Sequence, residues 1–262
     1  MTTASLRLFF VGSVFAYRAL FNWLSPGGYI FQKMAFPLVQ LAFFALVGAF
    51  GGARPLSFYL LGNAMIVTFQ AMFSIANAVA DERWQGTLPY VVGSPANRVV
   101  LFFGRGAVHV FDGIIDVVAA LGLAVLVFGL DLSHATWPGI ALAALVGSLG
   151  ACAFGLFIGA VAYLVLDANF LANLALFAIV LLTGANVPLE ELPSWAGTLS
   201  TLLPLTRTVA ASRGFAAGGE LAAGLPLLAG DVVVAAVWGL AGFALFQTLE
   251  TQARRRGTLE GF

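Results

Sequence analysis

Charged residues disappear from this chain for about twenty positions at a time, and they do so six times. A membrane-crossing helix needs about 20 mostly apolar residues, so the pattern predicts spans at 35–50, 56–80, 108–130, 139–166, 170–185 and 225–246. Lys33 precedes the first, and Gly51, Gly52, Arg54 and Pro55 end it. Asp81, Glu82 and Arg83 close the second, Asp167 to Asn169 form the turn before the fifth, and Asp231 interrupts the sixth. The fourth contains no charge at all and carries Gly147, Ala151, Gly155 and Gly159 four residues apart, a spacing that lets another helix approach closely. The pattern therefore predicts an all-α, polytopic membrane protein.

Two stretches fit neither a span nor a solvated loop. At about 100° per residue, Arg7, Arg18, Asn22 and Ser25 share one helical face, so residues 1–30 are expected to form an amphipathic helix lying on the inner leaflet, with a cleaved signal segment as the alternative. Residues 186–220 are too long for a simple connection, and Pro188, Pro193 and Pro204 divide them. Short helices dipping into the outer leaflet are expected there.

Composition agrees with the pattern. The 262 residues are 61% apolar and 9% charged, with a mean hydropathy of +0.98. A soluble domain carries about a quarter of its residues as charges, so the missing polar surface is expected to be covered by lipid. Twelve basic against twelve acidic residues give no face for neutralising phosphates, which argues against nucleic acid as a partner. Cys152 is the only cysteine, and His109 and His134 are the only histidines, so neither a disulfide nor a metal site is expected. With the N-terminus inside, nine basic residues (Arg7, Arg18, Lys33, Arg83, Arg98, Arg105, Arg254, Arg255, Arg256) fall on the cytoplasmic side and three (Arg54, Arg207, Arg213) on the far side. That bias predicts cytoplasmic termini in the cell membrane.

The only lysine, Lys33, lies between Gln32 and Met34, so the chain has no GxxxxGK[ST] nucleotide-binding loop. Any ATP-driven work must be done by a partner. The segment between the second and third spans reads DERWQGTLPYVVGSPANRVVLFFGR, with Gly86-Thr87 as a helix start and Ser94-Pro95 as a stop. The elements Glu82, Arg83, Gly86, Thr87, Leu88, then Ser94, Pro95 and Arg98, resemble the cytoplasmic loop of type-2 ATP-binding-cassette (ABC) exporter permeases. A second element, Pro188, Leu192, Pro193 and Trp195 followed by Leu203, Pro204, Leu205, Thr206 and Arg213, resembles that family's segment before the last span. The resemblance implies a permease half-transporter with no catalytic residue and no cofactor of its own. It pairs with a second permease chain, identical or related, and with two cytoplasmic ATPase subunits that hold ATP and Mg. It also implies that Glu82, Arg83, Gly86, Thr87 and Leu88, within 81–98, couple the chain to the ATPase.

Polar residues inside the spans are the other candidates. Asn63, Gln70 and Asn77 recur every seven residues in the second span with Ser74 close to the same stripe, and the fifth offers Asn169, Asn173 and Thr183. Such amides either bond across a helix pair or line a weakly polar path. Asp112 and Asp116 share a face of the third span with His109. Intramembrane carboxylates serve transport, catalysis or structure. A structural role would pair Asp112 with Arg105 or Arg98, while catalysis by an intramembrane transferase would need a second acidic cluster. Few intramembrane charges imply a hydrophobic or amphipathic cargo such as a drug, antibiotic or lipid. A lipid-linked glycan, or ion-coupled transport through Asp112 and Asp116, are the alternatives.

Overall fold

The computed structural model describes residues 11–12, 25–51, 54–84, 98–165 and 167–256, with side chains described for all of these except 78–84, 98–107, 163–165, 250 and 252–256. All regular structure among the described residues is helical. In chain order it comprises α1 (Pro26–Gly51), α2 (Leu56–Ile66), α3 (Phe69–Trp84), α4 (Arg98–Phe128), α5 (Trp137–Val165) and α6 (Ala168–Leu182). A 3-10 turn at Leu189–Glu191 follows, then α7 (Ser194–Ser200), α8 (Thr206–Ala216) and α9 (Leu221–Arg256).

Five stretches are long and apolar enough to cross a bilayer: Pro26–Gly51, Leu56–Asn77, Val108–Phe128, Trp137–Ala162 and Leu221–Leu249. They correspond to five of the six expected spans, and α6 to the remaining one. Two boundaries differ from the pattern in instructive ways. The first helix starts at Pro26 instead of after Lys33, because the lysine charge is absorbed inside the helix by two aspartates of α4. The second span is two helices joined at Val67 and Thr68, where the Thr68 hydroxyl donates to the Met65 carbonyl at 2.8 Å. Threonine back-bonding of this kind competes with the regular helical ladder.

The fifth span is short. Asp167 caps α6 by accepting a bond from the Phe170 N–H at 2.9 Å. At the other end the Thr183 hydroxyl donates to the Ile179 carbonyl and Gly184 takes a φ of 79°, which turns the chain out of the helix. Fifteen residues rise only about 22 Å, less than the ~30 Å of hydrocarbon. The non-helical stretch 183–187 follows directly, and in it Thr183, Gly184 and Ala185 are buried by protein. Irregular backbone at membrane depth is tolerated only under such cover.

Around α5 the other helices assemble: it packs on α9, α3, α8, α4 and α6. Its glycine stripe makes this possible. A Cβ on Gly155 would lie 2.6 Å from the Met72 carbonyl of α3, and one on Gly147 would lie 2.9 Å from Leu205, just before α8. Gly242 of α9 approaches the Phe157 backbone of α5 just as closely. In contrast, α1 and α9 have 22% and 11% of their apolar windows buried, and Phe43, Leu46 and Val47 of α1 and Val233, Val237 and Leu240 of α9 face outward. Apolar side chains on the rim of such a bundle need no protein cover where lipid replaces water.

Candidate functional site

The second and fifth spans run side by side, joined by amides at both ends. Near the start of the second, Asn63 is fully buried and its Nδ2 donates to Asn186 Oδ1 at 2.8 Å and to the Tyr59 carbonyl at 2.9 Å. Its Oδ1 has no partner among the described residues. Toward the other end, Asn77 Nδ2 donates to Asn169 Oδ1 at 3.1 Å, and Asn173, exposed, donates to its own helix at the Asn169 carbonyl. Gln70 and Ser74 lie half-buried between the two pairs, and Thr183 is spent on closing α6. The turn at Val67 and Thr68 separates Asn63 from Gln70, so the seven-residue stripe is two short stripes instead of one continuous face. Asn186 completes the pair with Asn63, yet nothing in its local sequence distinguishes it from a loop asparagine.

The third-span carboxylates have a partner from another helix. Lys33 Nζ sits 2.7 Å from Asp112 Oδ2 and 2.8 Å from Asp116 Oδ1, and the Tyr29 hydroxyl donates to Asp112 Oδ1. Asp112 thus pairs with Lys33, while the expected pairing with Arg105 or Arg98 falls on arginine side chains that lie outside those described. Asp116 is 1% exposed and Asp112 8% exposed, so the ions are shielded by protein on nearly all sides. His109, on the same face, is also buried. No group of three or more His, Cys, Asp or Glu side chains suited to a metal occurs among the described residues.

At the opposite end, three arginines knit the segment 186–220 to the spans. Arg213 of α8 donates to the carbonyls of Gly184, Ala185 and Phe58 at 2.9, 2.9 and 3.0 Å and lies 3.5 Å above the Phe58 ring. Burial pulls its pKa down to about 10 and nearby Arg54 acts the same way, so it remains charged at neutral pH. Gly62 leaves room for it: a Cβ there would stand 2.7 Å from the guanidinium. Arg54 bonds Glu191 at 3.0 Å on the exposed surface. Asp231, the charge that interrupts the sixth span, accepts the Thr208 N–H at 2.7 Å and lies 3.4 Å from Arg207. The N-cap of α8 is Leu205, which has no side-chain oxygen to offer, so a carboxylate from α9 satisfies an N–H of the first turn and complements its dipole. Leu205 itself holds a left-handed φ of 75°, rare for a branched residue, and is 1% exposed against α5.

Glu82 and Arg83 lie in the last turn of α3, with side chains outside those described, and Gly86, Thr87 and Leu88 lie outside the described residues altogether. So does most of the expected amphipathic segment 1–30. Among known families, the ABC-2 type transporter family matches residues 9–215, a stretch that contains both amide pairs, the Lys33 cluster and the whole of 81–98. A search of curated proteins gave no match. Family membership carries association with ABC ATPase partners. The apolar helices and the match together make this chain a multi-pass member of the ABC-2 type transporter family, a permease subunit of an ABC transporter.

Proposed function

We propose that the chain is half of an exporter that moves a hydrophobic or amphipathic molecule out of the cytoplasm, with ATP and Mg held by two separate ATPase subunits and a second permease chain completing the path. The family match over residues 9–215 carries this reading. The missing P-loop supports placing hydrolysis in the partner. Segment 81–98 is the contact with the ATPase: Glu82 and Arg83 pair with a polar groove, and Leu88 with its apolar neighbours anchors the joint. ATP binding draws the two coupling segments together and shifts the halves between inward-open and outward-open states. Both termini are cytoplasmic, on the bias of basic residues. The part of 1–30 that precedes Pro26 lies on the inner leaflet, residues 26–30 belonging to α1, and 186–220 dip into the outer one.

The contact between the second and fifth spans is the proposed path lining. Asn63, Gln70, Ser74, Asn77, Asn169 and Asn173 offer hydrogen bonds but no charge, which suits a drug, antibiotic or lipid better than an ion. A lipid-linked glycan fits the same surface and is separated from the others only by a transport assay. Ion coupling through Asp112 and Asp116 is less well supported, because both carboxylates are already engaged by Lys33.

Purification from a mild detergent tests the reading directly. A soluble subunit with a P-loop is expected to accompany the chain, and Glu82→Ala is expected to release it or abolish ATP-stimulated efflux of a lipophilic dye from proteoliposomes. Efflux that continues without ATP and collapses with the proton gradient would replace this reading with secondary transport.

A further inference from the structure

Tyr29 and Lys33 are one turn apart on α1, and Asp112 and Asp116 are one turn apart on α4. The contacts between them form a zip: Tyr29 to Asp112, Asp112 to Lys33, Lys33 to Asp116. Residues four apart stack on one helical face, so the two faces are matched over a full turn. This zip matters more to α1 than to α4. Only 22% of the α1 window is buried against 50% for that of α4, and α1 packs mainly on α2, its hairpin neighbour, and on α4.

α4 is a single helix from Arg98 to Phe128, and it begins where segment 81–98 ends. A displacement at its first turn is carried without a break to Asp112 and Asp116, about 21 and 27 Å further along the axis. Apolar helix contacts in a bilayer slide past one another with little penalty, since lipid and leucine are alike. Drawing Lys33 away from both carboxylates would instead strand three charges in an apolar surrounding, each of them costly. The zip is therefore stiff where the rest of the α1 surface is not.

We propose that Lys33, held between Asp112 and Asp116, is the positioning residue that makes the first and third spans move as one body, so that force delivered at segment 81–98 reaches the first span. This rests on the coupling role given above to 81–98.

The test uses the full chain with its co-purified ATPase in lipid nanodiscs, with Cys152→Ser as background. Spin labels at Val39→Cys and Val118→Cys report the α1–α4 separation; labels at Val118→Cys and Leu149→Cys report α4–α5. The three labelled positions, Val39, Val118 and Leu149, are exposed, and the replaced Cys152 is buried. Between nucleotide-free and ATP-vanadate states, the α4–α5 distance is expected to change while the α1–α4 distance stays fixed. In Lys33→Met the α1–α4 distribution is expected to broaden about twofold, and dye efflux to slow roughly tenfold while ATP hydrolysis persists. Lys33→Arg, which can also bridge two carboxylates, is expected to behave as wild type, and Lys33→Asp is expected to be rescued by Asp112→Lys. An α1–α4 distance that shifts with nucleotide in the wild type, or Lys33→Met efflux and distances equal to wild type, would overturn the proposal. If the Lys33→Met protein does not assemble, the Lys33→Asp/Asp112→Lys pair decides: failure of that rescue also overturns it. A complex in which neither distance responds to nucleotide sinks the coupling role of 81–98 itself, and the transmission role with it, a result distinct from α4 moving alone.

Discussion

Asp231 shows how a single charge inside a span can be structural. Its carboxylate takes the place of a cap that Leu205 cannot provide, and it does so from a helix more than twenty residues downstream. Replacing it with leucine leaves the Thr208 N–H buried and unmet, at an expected cost of about 1–3 kcal/mol. Thermal unfolding in detergent measures this as a lower midpoint, with Asp231→Asn losing less because an acceptor remains; an unchanged midpoint for the leucine variant would remove the cap from the account. Asp112 and Asp116 were legible in the sequence as residues needing a reason to be where they are. Their partner was not, because Lys33 is some eighty positions away and a lysine at the edge of an apolar run ordinarily marks the membrane boundary. Here pairing moves that boundary to Pro26. Arg213 was legible only as part of a motif; that it grips three backbone carbonyls could not be inferred from residue type.

The elements divide into those held by close backbone contact and those held by side-chain bonds. Gly155 belongs to the first kind: Gly155→Leu is expected to push α3 from α5 and cost about 1–3 kcal/mol or more, whereas Gly122→Ala, where a Cβ meets nothing, should gain up to about 1 kcal/mol from helix propensity. Equal unfolding midpoints for the two variants would contradict this packing. The amide pair Asn77 and Asn169 belongs to the second kind, and a double-mutant cycle separates its two possible uses. Asn77→Leu alone strands Asn169 and is expected to cost about 0.5–1.5 kcal/mol. If the pair serves only packing, Asn77→Leu/Asn169→Leu restores both stability and efflux; if it lines the path, stability returns and efflux does not. The five long spans and their order could be read from the apolar runs. The break at Val67 and the short α6 could not, because threonine back-bonding and glycine turns act within runs that remain apolar throughout.

For the molecule as a whole, the inside-outside assignment governs every functional statement, and it can be checked without knowing the cargo. In a Cys152→Ser background, cysteines at Ser133 and Trp195, both exposed, are expected to react with a membrane-impermeant maleimide added to intact cells, while a cysteine at Ser94 reacts only after lysis. The reverse pattern would invert the topology and move segment 81–98 out of reach of any cytoplasmic ATPase. The all-helical class and the family were readable from hydropathy and two motifs, since both are local in sequence. How the spans grip one another was not, since it depends on pairings across long separations. One such grip gives the molecule an unusual chemical simplicity. A chain with one lysine has one side-chain amine, and in this protein that amine is clasped by acids. Acylating reagents should pass it by while the clasp holds and mark it once the clasp opens, so a single mass increment on one peptide would report the state of the whole assembly.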